Sequence, residues 1–361
     1  MNLLDKFRDP TLCANVLEQI REETEEPFRF MEVCGTHTVA IFQSGIKTLL
    51  PDNISHISGP GCPVCVTHDR EITAFLELAK KEMLLATFGD LMRVPGPGGK
   101  SLKQAQAEGA RVQVVYSPFD ALQLALDNPG EKVIFLAVGF ETTAPTVAAT
   151  LKVAKQQQVD NFYILGMHKL VPPALRALAG DRDIRLDGLL LPGHVSTIIG
   201  LNPYTFLAEE FGLPGVISGF EPLDILHSIL VLLGQKKKAS PEVINNYPRA
   251  VANKGNPRAL SVMQEVFVPV DAWWRGLGNI PGSGLALAGD YQYFDAWKFL
   301  DAVPESGDRI SGCSCGQVLK GQVLPDKCPL FGVKCTPAAP IGPCMVSSEG
   351  ACAAFFKYSV H

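Results

Sequence analysis

Ten cysteines in 361 residues carry most of the chemistry this chain could perform. A thiolate can serve as a nucleophile, a soft metal ligand or half of a disulfide, so placement decides the role. Cys62 and Cys65 stand two residues apart in "GPGCPVCVTH" (59–68), ahead of the helical stretch "VTHDREITAFLELAKKE". Locally the pair reads equally as half a metal hook, a redox dithiol or a sulfur-bearing turn. A zinc hook needs a second Cys-x-x-Cys or a His pair, and no such partner is evident. A Cys-x-x-Cys at a helix start can close into a disulfide and reopen.

Six more thiols, Cys313, Cys315, Cys328, Cys335, Cys344 and Cys352, crowd the carboxy-terminal segment, which is rich in Gly and Pro. A short module of this kind has too small a core to hold itself together, and a bound metal or cluster would stabilise it. Single cysteines at wide gaps suit four thiolates wrapped around an iron–sulfur cluster better than the paired hooks of zinc. Five of them compete for four places, with Cys313 undecided. Cys34 is the remaining reactive candidate. It ends the apolar run "FRFMEV" and precedes "GTHTVAIFQSGIKTLL", a helical stretch capped by Thr36 or Thr38. Backbone N–H groups and the helix dipole at such a turn are expected to lower a thiol pKa. Cys13, on the first amphipathic helix, reads as structural.

The elements that must position these groups follow one rhythm. Short, continuous apolar runs alternate with helical stretches at 28–38, 82–96, 110–118, 132–145, 161–173, 186–200 and 214–226. Such runs are parallel strands buried on both faces, so the class is α/β with two parallel-sheet units, Rossmann- or thioredoxin-like, flanking a cleft. The divisions expected are residues 1–145, 146–278 and a cysteine-rich module at 279–361. Ligands in open parallel sheets bind beyond the strands' carboxyl ends. Those ends carry Cys34, His37, Asp90, Arg93, Glu141, His168, His194 and Glu221. Gly-Phe-Glu recurs at 139–141 and 219–221, too short an echo to show duplication.

Composition excludes several classes. Net charge is −5 with no basic stripe, so nucleic-acid binding has no support. No run is long enough to span a membrane and no signal peptide is visible, so the expected compartment is the cytoplasm, where thiols stay reduced. "VPGPGGKSL" (94–102) ends like a P-loop, but Val94 occupies the place of the required leading glycine. No Gly-x-Ser-x-Gly elbow is present.

With these pieces in place the chain resembles the HypD family of hydrogenase maturation proteins along nearly its whole length. The match is carried by "MEVCGTHT" (31–38), "GPGCPVC" (59–65), "FGDLMRVPG" (88–96), "GFETTAP" (139–145), "GMHKLVPP" (166–173), "LPGHVS" (191–196) and the tail "CPLFGVKCTP…GPCMVSSEGAC" (328–352). The resemblance implies a scaffold on which an iron with two cyanides and one carbonyl, the Fe(CN)2CO unit of nickel–iron hydrogenase, is assembled. It implies Cys34 as an iron ligand shared with a HypC-like chaperone, and a HypE-like partner that delivers cyanide. It also implies a 4Fe–4S cluster on Cys315, Cys328, Cys335 and Cys352, leaving Cys344 spare. Cys62 and Cys65 are then expected to relay electrons from the cluster to the iron, with Thr36, His37 and Glu141 as supporting groups. A stand-alone dithiol oxidoreductase and a zinc-stabilised interaction protein are the competing readings.

Overall fold

The computed structural model describes residues 5–302 and 312–358; the expected first and third units also include residues 1–4, 303–311 and 359–361, which lie outside them. The architecture is α/β with two parallel sheets. Strands β1 (Phe28–Glu32), β2 (Ile54–Ser58), β7 (Gly188–Pro192), β8 (Gly215–Ser218) and β9 (Val243–Asn245) form the first, in the order β2-β1-β7-β8-β9. Strands β3 (Leu84–Thr87), β4 (Val112–Val114), β5 (Val133–Gly139) and β6 (Phe162–His168) form the second, in the order β4-β3-β5-β6. All seven residues of β5, "VIFLAVG", are buried, as expected where helices cover both faces of a parallel sheet.

Pairing does not follow the linear divisions read from the sequence. The cut at 145/146 separates β5 from β6, which pair along seven positions from Val133↔Phe162 to Gly139↔His168. The chain leaves the first sheet after β2, builds the whole second sheet, and returns to the first at β7. The cut at 278/279 falls within a hairpin, because β10 (Phe267–Trp274) pairs antiparallel with β11 (Gly278–Leu287). Apolar strands look alike in sequence, and nothing in their composition tells which sheet each joins.

The hairpin ties the second sheet to the Cys-x-x-Cys turn. Leu170 N–H donates to Ser283 O (2.8 Å), and Arg275 N–H donates to Val66 O (2.9 Å). Trp274, fully buried, stacks on Phe140 and donates through Nε1 to Ser283 Oγ (2.8 Å). A buried ion pair between Lys169, just past β6, and Glu71 anchors the helix Asp69–Leu78 to the same place. The tail wraps the first sheet: Arg29 donates to Gly321 O, and Phe355 packs edge-on against Phe42 at 5.6 Å. One apolar core therefore runs from β1 and β2 through the second sheet to the cysteines of the tail.

Candidate functional site

In the first sheet the strand order reverses between β1 and β7, so their carboxyl ends bound the crevice in which a ligand is expected. Cys34 lies at that point. It has extended φ/ψ (−149°, 121°) and caps the helix Gly35–Gln43 through its backbone. Glu32, wholly buried, shapes the turn: its Oε2 accepts the Cys34 N–H (3.0 Å) and its Oε1 the Thr38 hydroxyl (2.5 Å). The thiol does not have the lowered pKa expected of a helix start. Burial pushes it up to about 12; the His37 backbone N–H pulls it partway back, and the Glu349 and Glu32 carboxylates oppose that. A helix terminus contributes about 0.3–1 kcal/mol, whereas full desolvation shifts a group by up to roughly 3–5 pH units, so desolvation prevails.

The β2 loop is pressed directly onto this turn. Gly59 N–H donates to Glu32 O (2.8 Å) and Gly35 N–H to Gly61 O (3.0 Å). Gly61 lies so close that a Cβ there would overlap the Cys34 backbone nitrogen and Cα. Cys62 then caps the turn Pro63–Val66 and is joined to Cys65 as a disulfide with Cα atoms 5.2 Å apart. Both cysteines are buried, and Cys65 Sγ lies 3.9 Å from Pro343 O in the tail. Cys34, the Cys62–Cys65 pair and the tail are thus adjoining parts of one site.

In the tail all six cysteines line a single cavity, whose remaining walls include Val318, Leu330, Phe331 and Met345. Cys344, expected as a bystander, faces it with the rest, and its Sγ is 2.7 Å from Cys315 Sγ. Cys313 lies beside Cys315, and Cys335 Sγ accepts the Ile341 N–H (3.3 Å). Burial pushes the Cys352 thiol up, and Cys315, Cys313, Cys335 and Cys328 raise it further. Among the described residues no three His, Cys, Asp or Glu side chains converge closely enough to hold a single metal ion. A cubane takes one thiolate at each of four separate irons, so its ligands ring an apolar pocket rather than meet at a point. The donor set fits such a cluster.

The weaker candidates separate. Thr36 donates to Glu349 Oε1 (2.8 Å), and Gly35 is packed against Glu349, so the tail closes over the Cys34 turn. His37 donates through Nε2 to Gly219 O (2.9 Å), which fixes its tautomer. Its ring and that of His194 both pack on Phe220, with centroids 4.6 and 4.0 Å apart. Glu141 lies on the second sheet. It accepts the Val171 N–H (2.9 Å) through Oε1, and burial holds its carboxyl up at about 7. Burial pushes the Tyr204 hydroxyl well up, and the Glu141 and Cys34 charges raise it further. Glu32, Glu349, Tyr204 and Gly61 were not singled out from sequence. Two carboxylates within the matched motifs "MEVCGTHT" and "VSSEGAC" were the available signal.

Two buried imidazoles make folding acid-sensitive. Burial lowers His37 to about 4 and His168 to about 3, from 6.5 when unfolded. The unfolded chain binds more protons below pH 6.5, so this stability is present above 6.5 and drains as pH falls toward the folded values. Each histidine contributes on the order of 3 kcal/mol. Glu141 acts in the opposite sense, stabilising below 4.5 and losing that effect as pH rises toward 7. The two histidines prevail over the one carboxyl. Urea midpoints should fall between pH 7 and pH 5, and His168→Phe should flatten the fall. An unchanged slope in that variant would remove His168 from the account.

The HypD family model, described as the hydrogenase formation hypA family, matches residues 11–359. The chain is 47% identical to hydrogenase maturation factor HypD of Escherichia coli K12, an alignment covering 99% of this chain and 98% of that protein. It is 46% identical to hydrogenase maturation factor HypD2 of Bradyrhizobium diazoefficiens over 99% and 97% of the two. A putative hydrogenase expression/formation protein of Methanocaldococcus jannaschii is 42% identical over 98% of each.

Proposed function

The chain belongs to the HypD family of hydrogenase maturation factors, and from that premise we propose that it is the scaffold holding an iron while cyanide and carbonyl ligands are attached. Cys34 is the iron ligand, and a HypC-like chaperone supplies a second ligand and shares the cargo. A HypE-like partner delivers cyanide as a thiocyanate. The observation that carries this reading is the contact between motifs: the Gly61 loop places the Cys62–Cys65 pair against the Cys34 turn. Low-spin iron with strong-field ligands suits a soft thiolate donor.

The dithiol accounts for the electrons. When cyanide passes from a thiocyanate to iron, the S–C bond breaks and the sulfur leaves as a thiol, which requires two electrons. Reduced Cys62 and Cys65 provide them by closing their disulfide; one of their protons goes to the leaving sulfur and the other to solvent. The two cysteines stand close enough to close such a disulfide, with Cα atoms 5.2 Å apart.

A 4Fe–4S cluster in the tail cavity, when bound, supplies electrons one at a time. Cys315 and Cys344 are too close to ligate two separate irons, so only one of them serves; the ligands are Cys315, Cys328, Cys335 and Cys352, the set the resemblance implies, with Cys344 the spare thiol. The reading places the protein in the cytoplasm, where these thiols stay reduced. No helix among the described residues is long and apolar enough to cross a membrane.

A stand-alone oxidoreductase fits less well: Cys62 and Cys65 are 3% and 0% exposed, whereas a dithiol that exchanges freely with protein disulfides presents its attacking sulfur at the surface. Anaerobic purification should yield about four iron and four sulfide per chain. Cys315→Ala should lose most of both while Cys344→Ala keeps them. Zinc in place of iron would overturn the cluster, and the reverse pattern of variants would overturn the ligand assignment.

A further inference from the structure

The Cys62–Cys65 pair controls more than electrons. The inference rests on the reading of Cys34 as the iron ligand and concerns access to it. Cys34 is 8% exposed. Gly61 lies against its backbone, and the Gly61 carbonyl occupies the N–H of Gly35, the first residue of the helix that Cys34 caps.

We propose that the Cys62–Cys65 disulfide is a latch on Cys34: closed, it holds the Gly61 loop down and shuts the thiol in; opened, it releases the loop and admits metal or an alkylating agent. Opening requires a dithiol or phosphine reductant. The S–S bond takes up two electrons and two protons, and the reductant leaves as disulfide or phosphine oxide.

The geometry decides which half moves. Two thiols cannot remain at bonding distance, and the sulfurs must part by on the order of 1.5 Å to reach van der Waals contact. Cys65 cannot retreat. It is wholly buried, its sulfur faces Pro343 O at 3.9 Å, and the next residue, Val66, accepts the Arg275 N–H. Thr67 bridges to Trp274 in the hairpin, which clamps that side again. Cys62 hangs instead from Gly59-Pro60-Gly61, where two glycines allow the backbone to turn. Displacing Cys62 carries Gly61 with it and breaks the Gly61–Gly35 hydrogen bond. The freed Gly35 N–H then points into the site as a donor for an anionic ligand. Each cyanide transfer, by closing the pair, shuts the site until it is reduced again, so one reduction admits one delivery.

The test needs neither iron at Cys34 nor a partner. The full chain, purified without its partner and with its tail cluster in place, is treated with iodoacetamide in its oxidised and its phosphine-reduced forms, and Cys34 modification is timed by peptide mass spectrometry. Cys13, part-exposed on the helix Pro10–Glu23, serves as the internal standard. Relative to Cys13, Cys34 should react at least tenfold faster after reduction. Cys62→Ala should show the fast rate without any reductant, which separates this pair from Cys315 and Cys344. Equal rates in the oxidised and reduced wild type overturn the latch, and that comparison stands even if the variant does not fold. A rate that responds to phosphine in wild type while Cys62→Ala stays slow also overturns it. Failure of Cys34 as iron ligand would appear separately, as metal-centre infrared bands that survive its substitution.

Discussion

Infrared spectra of the chain purified anaerobically with the proposed HypC-like chaperone should show cyanide and carbonyl stretching bands that vanish in Cys34→Ala. Removing the sulfur removes the soft donor while leaving the turn intact. Glu32 holds the Cys34 N–H and the Thr38 hydroxyl, and neither contact involves the thiol. The variant should therefore fold, bind its partner and retain the tail cluster. Cys62→Ser should behave differently. Its iron and sulfide content should match wild type, while the cyanide bands should be absent because the remaining thiol cannot donate two electrons alone. Bands that persist in Cys34→Ala would place the iron elsewhere. Normal cyanide loading in Cys62→Ser would remove the dithiol from the chemistry.

Gly61→Ala should be among the most damaging single-methyl additions in the protein. The added carbon would overlap backbone atoms of Val33 and Cys34, and these cannot swing aside as a side chain can. Overpacking of this kind costs roughly 3 kcal/mol. Any relief must come from lifting the β2 loop, which uncovers Cys34 even while the disulfide is closed. The expected outcome is a lowered urea midpoint together with fast alkylation of Cys34 in the oxidised protein. Gly130→Ala is the matched control, since no atom lies within 4 Å of its new methyl, and it should be neutral. A Gly61→Ala protein as stable as wild type, with Cys34 as slow to react, would show that the two motifs need not touch.

Much of this was legible before any coordinates. The runs that became β1 and β3 to β8 announce themselves by short apolar stretches, and the carboxyl-end rule placed Cys34 at the end of β1. The partition into sheets was not legible. β6 and β7 are equally apolar, yet one joins Gly139 and the other joins Glu32, a distinction set by long-range packing. The hairpin was missed because its strands are interrupted by Pro269, Pro281 and several glycines, which read as loop. At the site, spacing found the thiols but could not reveal their surroundings. The high Cys34 pKa follows from burial by segments remote in sequence, and the pairing of Cys315 with Cys344 depends on how the tail coils back. Glu349 illustrates the same limit, a solvated carboxylate by composition that lies against the first turn of the Cys34 helix.

That last contact bears on when the protein can begin to work. Thr36 and Glu349 are 313 residues apart in the chain. At roughly 5–20 residues per second, synthesis leaves the Cys34 turn waiting tens of seconds for the segment that closes over it. A chain cut short before Glu349 has every strand of both sheets but an uncovered site. If Cys34 carries the cargo as proposed, loading waits until synthesis has passed Glu349, and a chain that stops short of it leaves the Cys34 turn without its cover.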